Sequence, residues 1–262
     1  MSRIRSGGAR IVRGAVGIAV FLAVAEAAAR TGLVDSSVPP ASEIVIRAAG
    51  LMTNPEFIDA VGATMLRWAV GLLLTIAVVV PLGIVLGTFR QVERTFRPII
   101  EVMRPMPSIA LIPLAILLFR DNFLAEVSIV VYASTWPVLI NTMYAVREVD
   151  PLARETMRSF GFGPGSILLR VSLPSAAPFI LTGIRISSSI ALIVAISTEL
   201  FAPGFPGIGS YLLAVQSGTD IIPGVIATAV WAGVIGLALN GLFVAFDRRF
   251  FRWHHARGGE VT

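Results

Sequence analysis

The chain has 262 residues, of which 55% are hydrophobic and only 14% are charged, whereas soluble domains carry about 25% charged residues; we therefore expect an integral membrane protein with one membrane domain. Its 21 basic residues are all arginine, which excludes the lysine-dependent phosphate loop of P-loop ATPases and Schiff-base chemistry. The absence of cysteine excludes disulfides, thiolate metal sites and cysteine nucleophiles.

Six apolar runs are long enough to cross a membrane. Spanning about 30 Å of hydrocarbon as a helix takes about 20 residues at 1.5 Å each. The runs cover 14–33, 61–88, 98–119, 124–146, 176–201 and 222–246. Their unbroken apolar content favours helices over the alternating strands of a membrane barrel. The sequence thus predicts an all-α membrane protein with six transmembrane helices.

The first run also has features of a cleaved signal peptide. It has a basic start, an apolar stretch and small residues at 27–29. The apolar stretch is longer than that of a usual signal peptide, and Glu26 is unusual in one. We favour a retained span, but the alternative stays open at the level of sequence.

A short helix is predicted between the first two spans. Residues 34–59 are polar and contain three prolines. Within them, Ser42 to Met52 has apolar residues at helical spacing. We expect this helix to lie on the outer surface of the membrane.

The arginines predict the orientation. With six spans, one side of the membrane receives the segment before span one, the loops between spans two and three and between spans four and five, and the segment after span six. These segments contain fifteen arginines: Arg3, Arg5, Arg10, Arg13, Arg90, Arg94, Arg97, Arg147, Arg154, Arg158, Arg170, Arg248, Arg249, Arg252 and Arg257. The other side has only Arg30, Arg47 and Arg120. By the positive-inside rule both termini (1–13 and 251–262) and the loop 147–175 are cytoplasmic. Membrane orientation explains the net positive charge, so we expect a lipid bilayer and no nucleic acid as partner.

The loop between spans four and five predicts two short helices. Asp150 and Pro151 are typical of a helix N-cap and first position, and Gly161 of the residue after a helix end. A second helix begins at Gly163–Pro164, and Leu173–Pro174 ends it and turns the chain into span five.

The spacing of this loop resembles a known motif. Glu155, Thr156–Met157, Gly161 and Val171-x-Leu173–Pro174 resemble the EAA loop of binding-protein-dependent ABC importer permeases. Thr156 and Met157 replace two alanines of the motif, and Val171 replaces its usual isoleucine.

Other segments resemble the nitrate, sulfonate and taurine branch of that family: Arg104–Leu114, Pro137–Thr142, Gly183–Ile186, Glu199 and Gly207–Tyr211. Phe119–Asn122 departs from that branch, which usually has a glycine-containing outer turn there.

The resemblance implies the partners. A second permease subunit completes the pore, as a homodimer, and the solute comes from an extracytoplasmic binding protein. The EAA loop (150–174) supplies a coupling helix that docks on a cytoplasmic ABC ATPase dimer, through Glu155, Thr156, Met157, Gly161, Leu173 and Pro174. Residues 14–250 form the permease domain in a bacterial plasma membrane. The chain is no enzyme and has no cofactor, since Mg-ATP is hydrolysed on the partner. Small oxyanions or sulfonates are the implied solutes.

Four polar residues inside or beside spans are candidates for the translocation path: Arg104, Asn141, Arg185 and Glu199. A buried Arg185 should face protein or water rather than lipid, because the charge is costly in hydrocarbon. It could handle an anion or serve structure alone. Glu26 and Glu199 could instead brace neighbouring helices, and Asn141 could bond between helices.

Two other functions are weighed. An ion-coupled secondary transporter or channel would need acidic residues near the bilayer midplane, whereas the acids here lie near span ends and in loops. A membrane enzyme, or a metal site, would need clustered ligands. The only histidines, His254 and His255, lie in the basic tail without neighbouring ligands.

Overall fold

The computed structural model of the chain describes residues 3–32, 35, 38–202, 204–216 and 221–251. Within these ranges every regular element is helical. The α-helices are α1 (Arg3–Arg30), α2 (Ala41–Leu51), α3 (Pro55–Thr88), α4 (Arg90–Met103), α5 (Ile112–Leu118), α6 (Asn122–Arg147), α7 (Pro151–Ser159), α8 (Pro164–Ile167), α9 (Leu173–Phe201), α10 (Ile208–Gln216) and α11 (Ile221–Phe250). His254, His255, Arg252 and Arg257 lie outside the described residues.

Five helices in the described residues are long and apolar enough to span a membrane: Val12–Arg30, Pro55–Thr88, Asn122–Arg147, Pro164–Phe201 and Ile221–Phe250. They coincide with five of the six predicted spans. The second begins earlier than predicted because Asn54 caps it, its side-chain oxygen accepting from the Glu56 and Phe57 amides at 2.9 and 3.3 Å. Pro55 suits the first turn, where its missing amide is not needed.

The predicted third span, 98–119, is divided. The helix α4 ends at Met103, a 3₁₀ turn follows at Ser108–Leu111, and α5 begins at Ile112. The two parts meet at a bend of 86°. Pro105 and Pro107 lie in the bend, where each removes a backbone donor and disfavours helix in the residue before it. Counting the bent pair as one span gives six.

The charged and apolar residues of α4 lie on opposite sides. At 3.6 residues per turn its charged side chains fall within roughly a 100° arc; they are Arg90, Glu93, Arg94, Arg97 and Glu101, with Arg104 following. Val92 and Ile100 pack against the core formed by Leu86, Leu139 and Met143. This pattern fits a helix packed along one face only.

The helices α6 and α9 form the central pair. A Cβ atom at Gly183 of α9 would lie only 2.7 Å from Asn141 Cβ and 2.9 Å from the Pro137 carbonyl of α6. The helix α3 approaches α6 as closely, since a Cβ atom at Gly83 would lie 2.7 Å from Thr142 Cβ. Glycine at these contacts lets the helix backbones come close, as small residues do in membrane helix pairs.

Residues up to Asp59 form a second compact unit with Tyr211–Gly233. There α2 is held by side chains of other segments. Glu26 accepts from the amide and hydroxyl of Ser42 at 2.9 and 3.0 Å, and Trp231 donates to the Ala48 carbonyl at 2.7 Å. These contacts confirm the predicted short helix and the bracing role of Glu26.

The predicted break at Leu173–Pro174 is wrong. From Pro164 to Phe201 the chain runs as one helix of 38 residues, with a π-helical turn at Leu168–Ser172. Proline cannot donate to the carbonyl four residues earlier, and the wider turn directly before Pro174 accommodates its ring within a continuing helix. The fifth span is therefore continuous with the second helix of the loop.

Substitution of Gly83 by leucine tests the close contact of α3 with α6. Gly83→Leu should lower stability by about 2 kcal/mol, because overpacking forces the two backbones apart. The thermal unfolding midpoint of the detergent-solubilised protein measures this. Gly62→Leu is the matched control, because nothing lies within 4 Å of a Cβ atom at that position of the same helix. Equal midpoints for the two variants would contradict the packing described.

Candidate functional site

The first helix of the loop is capped at both ends as predicted. The Asp150 carboxylate accepts from the Leu152 amide at 2.9 Å. At the other end Gly161 has φ +80°. Its amide donates to the Arg158 carbonyl at 2.9 Å, and that of Phe162 to the Met157 carbonyl at 3.1 Å. This pair of bonds is the Schellman motif, which favours glycine at the left-handed position. The helix α7 is thus a rigid nine-residue element.

The root of the loop is tied to the membrane helices. Arg154 of α7 donates a hydrogen bond to the Val146 carbonyl of α6. Arg147, the last residue of α6, donates to the Leu86 carbonyl of α3 at 3.0 Å. Arginine side chains therefore donate hydrogen bonds to carbonyls near the C-terminal ends of these helices, where cations are stabilised.

The outward face of α7 is apolar at two positions that sequence reasoning missed. Leu152 and Phe160 are 69% and 76% exposed. Of the predicted docking residues, Glu155, Thr156 and Gly161 are exposed beside them, and Met157 is half-buried. The available signal was the presence of large apolar residues in an otherwise charged stretch.

The remaining predicted docking residues lie elsewhere. Leu173 is half-buried and Pro174 exposed, both in the first turn of the regular part of α9. Between them and α7, the Arg170 guanidinium lies 5.5 Å from the centre of the Phe162 ring. This contact links the two halves of the loop.

Arg185 of α9 is paired with a residue that the sequence analysis did not single out. Its Nε donates to Asn240 Oδ1 of α11 at 2.6 Å, and the arginine is exposed in this chain. Position 185 lies well inside the continuous helix Pro164–Phe201. An arginine at this depth is costly if it faces lipid, so protein or water must cover it.

The other path candidates are dispersed. Asn141 is beside Gly183, but its amide donates to the Pro137 carbonyl at 2.8 Å within its own helix rather than between helices. Arg104 is exposed at the start of the bend after α4. Glu199 lies about 21 Å along α9 from Arg185, at 1.5 Å per residue.

Glu199 is fully buried in a network of hydrogen bonds. Its carboxylate accepts from the Thr64 hydroxyl at 2.7 Å and from the Gly209 amide at 2.9 Å. The same hydroxyl accepts from the Ile208 amide at 2.9 Å. A Cβ atom at Gly207 would lie 2.1 Å from the carboxylate, so only glycine fits there. The network holds the segment after α9 against α3.

A buried ion pair adjoins this network. Arg67 Nε lies 2.9 Å from Glu126 Oε2, and both side chains are buried. Arg67 also donates to the Ala63 carbonyl at 3.0 Å, and the Glu126 and Glu199 carboxyl groups interact. Arg67 lies within the predicted second span, 61–88, but its partner could not be identified from the sequence, because the pair joins α3 to α6.

A polar cavity of about 520 Å³ lies in the second unit. It is lined by Glu43, Ile46, Arg47, Gly50, Leu51, Asn54, Tyr211 and Pro223. Burial, together with the Glu56 carboxylate, raises the pKa of Tyr211. Its phenol, 3.3 Å from the Asn54 amide nitrogen, is therefore protonated at neutral pH.

Comparisons with known proteins agree with this architecture. A family model described as "Binding-protein-dependent transport system inner membrane component" matches residues 79–252. A Methanocaldococcus jannaschii protein described as an ABC transporter permease is 30% identical over 204 residues, covering 78% of this chain and 76% of that protein.

Two further comparisons concern a named transport system and a solved structure. The nitrate import permease protein of Leptolyngbya laminosa is 29% identical, covering 74% of this chain and 68% of that protein. A crystal structure of an amino acid ABC transporter with histidines has a TM-score of 0.63 at 20% identity, covering 77% of this chain and 97% of that one; it shows a shared fold.

Removal of the Glu199 carboxylate tests the buried network. Glu199→Ala should destabilise the protein by about 3 kcal/mol, because it leaves buried donors without their acceptor. Thermal unfolding in detergent measures the loss. Ser197→Ala is the control, since its hydroxyl is exposed and bonds only within α9. A midpoint for Glu199→Ala equal to that of the control would rule out the bracing role.

Proposed function

The chain belongs to the family of binding-protein-dependent transport system inner membrane components, and we propose that it imports a small oxyanion or sulfonate. As a member of this family it is a permease subunit of an ABC importer. The observation that carries the fuller proposal is the loop 150–174: a rigid capped helix with an exposed apolar face, tied at its root to the membrane helices.

The positive-inside rule supports a cytoplasmic location for this loop. Counting α4 and α5 as one bent span gives six crossings, and the arginines lie at the ends that the positive-inside rule assigns to the cytoplasm. Residues 14–250 then form the permease domain, with the segments 1–13 and 251–262 on the cytoplasmic side of the plasma membrane.

The loop docks on an ABC ATPase dimer, which supplies the ATP hydrolysis. Leu152 and Phe160 present apolar surface to the partner, with Glu155, Thr156, Met157 and Gly161 beside them. Apolar anchors at the centre of a small patch commonly supply much of the binding energy. Leu173 and Pro174 act through the start of α9, because they belong to that helix.

The solute proposal has two supports. Relatives include nitrate and bicarbonate permeases, whose solutes are small oxyanions. Arg185 is an exposed cation deep within α9, held by Asn240, and a water-filled path between two subunits would cover it. In a homodimer both copies contribute this arginine. Arg104 and Asn141 lie elsewhere on the same path, whereas Glu199 braces it.

A solute-binding protein delivers the solute from outside. The polar cavity beside α2 is lined by both Glu43 and Arg47. It offers hydrogen-bonding and charged groups to such a partner.

Uptake into proteoliposomes tests the whole proposal. Proteoliposomes that contain the chain, its ATPase and its binding protein should transport nitrate, bicarbonate or a small sulfonate only when ATP is present on the side of the membrane where the ATPase lies. Uptake of cationic solutes alone, or uptake without ATP, would contradict it.

A valine at position 161 tests the docking helix. Gly161→Val should weaken co-purification of the ATPase and reduce uptake about tenfold, because φ +80° costs a β-branched residue roughly 1–3 kcal/mol and distorts the helix end. Gly165→Val is the control in the same loop, where a Cβ atom meets nothing within 4 Å. Normal ATPase association and uptake in Gly161→Val would refute the docking role.

Arg185→Met tests the solute path. Loss of the cation should lower anion uptake about tenfold or more, while Arg185→Lys, which keeps the charge, retains part of it. Initial uptake rates across the anion panel, normalised to the amount of protein in the membrane, provide the measurement. If both variants transport at the wild-type rate, Arg185 does not contact the solute.

A further inference from the structure

An ion pair at the root of the docking loop joins three membrane helices. Arg147, which ends α6, lies 3.3 Å from Glu93 of α4 and donates to the Leu86 carbonyl of α3. The Glu93 side chain is only 8% exposed and that of Arg147 29%. The end of α6, the start of α4 and the end of α3 therefore meet at one guanidinium.

The docking helix is attached to the same point. Arg154 of α7 donates to the Val146 carbonyl, next to Arg147. Only residues 148–150 separate α6 from α7, of which Val149 is buried and Asp150 caps α7. Because this connection is short and bonded, a displacement of α7 moves Arg147 with it.

The helix α4 is attached to α6 at its other end as well. The Tyr132 hydroxyl of α6 donates to the Met103 carbonyl, the last residue of α4, at 2.7 Å. Directly beyond lies the bend of 86° into α5. The helix α4 is thus held to α6 at both ends, and the bend at Arg104–Pro107 is the next part of the chain that can respond.

The other ion pairs of α4 lie within that helix and do not connect it to α6. Arg97 lies 3.5 Å from Glu93 and 3.3 Å from Glu101 within the same helix, and it is 61% exposed. Exposed pairs within one helix contribute little and transmit nothing between helices. The Glu93–Arg147 pair is largely buried and joins two helices, so removing either partner is more costly.

We propose that Glu93 and Arg147 are positioning residues that transmit displacement of α7 to α4 and so to the bend before α5. The inference rests on the proposed docking of α7 on an ATPase. It adds the route by which that docking reaches the membrane helices. Such coupling requires a connected structural element whose arrangement is influenced both by the docking helix α7 and by the bend before α5.

A charge exchange in the intact transporter tests the pair. Glu93→Gln, Arg147→Gln and the double variant Glu93→Arg/Arg147→Glu are compared with wild type in proteoliposomes containing the ATPase and binding protein. Three quantities are measured: ATPase co-purification, ATP hydrolysis, and solute taken up per ATP hydrolysed. Glu101→Gln, on the same helix but exposed, is the matched control.

The expected result is a loss of coupling rather than of assembly. Each single variant should retain the ATPase but transport about tenfold less solute per ATP, within the range of interaction energies between contacting residues. The exchanged pair restores the link between α4 and α6 but not the bond to the Leu86 carbonyl, so it should recover in part, at least threefold over the worse single variant. Glu101→Gln should match wild type. A purely structural role would not lower the ratio of uptake to hydrolysis.

Two outcomes overturn the proposal: wild-type uptake per ATP in both single variants, or an exchanged pair no better than they are. If a single variant cannot be purified from the membrane, the exchanged double variant tests the proposal alone. Coupled uptake by the double variant would support the proposal, and its absence would contradict it. The wild-type protein distinguishes failure of this inference from failure of the proposed function. If the proposed function is wrong, the wild type itself does not bind the ATPase or does not couple uptake to ATP.

Discussion

The structure depends on one constraint: a charged or polar group within hydrocarbon must have a partner in the protein. Arg67 and Glu126 are buried together, and Glu199 accepts from Thr64 and the Gly209 amide. These contacts join α3, α6, α9 and the start of α10 at one end of the helices. At the other end Arg147 joins α3, α4 and α6. Between these polar ties the helices meet closely through Gly83 and Gly183.

The two ends differ in what they leave exposed. At the end that contains Glu199 the charged groups are buried and lie close to one another, which suits a fixed brace. At the end that contains Arg147 the chain extends into α7, which keeps Leu152 and Phe160 exposed while its own backbone is capped. An exposed apolar face on a rigid, firmly rooted helix is suited to receiving force from a partner. The chain has no lysine for a phosphate loop of its own, which agrees with the proposed ATPase partner.

Local chemistry in the sequence predicted much of this structure. The helix α7 was predictable because Asp150 and Gly161 determine its ends by adjacent contacts alone, and five spans were predictable because length and hydropathy determine them. The break at Leu173–Pro174 was predicted wrongly, since a π-helical turn can carry proline through a continuing helix. Pro105 and Pro107 account for the position of the bend of 86°. The partners of Arg67, Arg147 and Arg185 depend on which helices are neighbours. Residues far apart in the chain decide that, so no local pattern could predict them.

The location of Phe160 tests the central claim most directly, and the chain has no native cysteine to interfere. A single cysteine introduced at position 160 can be treated with a membrane-impermeant thiol reagent added to intact cells, and with a crosslinker in membranes that contain the ATPase. The account predicts protection from the external reagent and a crosslink to the ATPase subunit. Labelling from outside the cell, or no crosslink to the ATPase in a transport-active preparation, would contradict it.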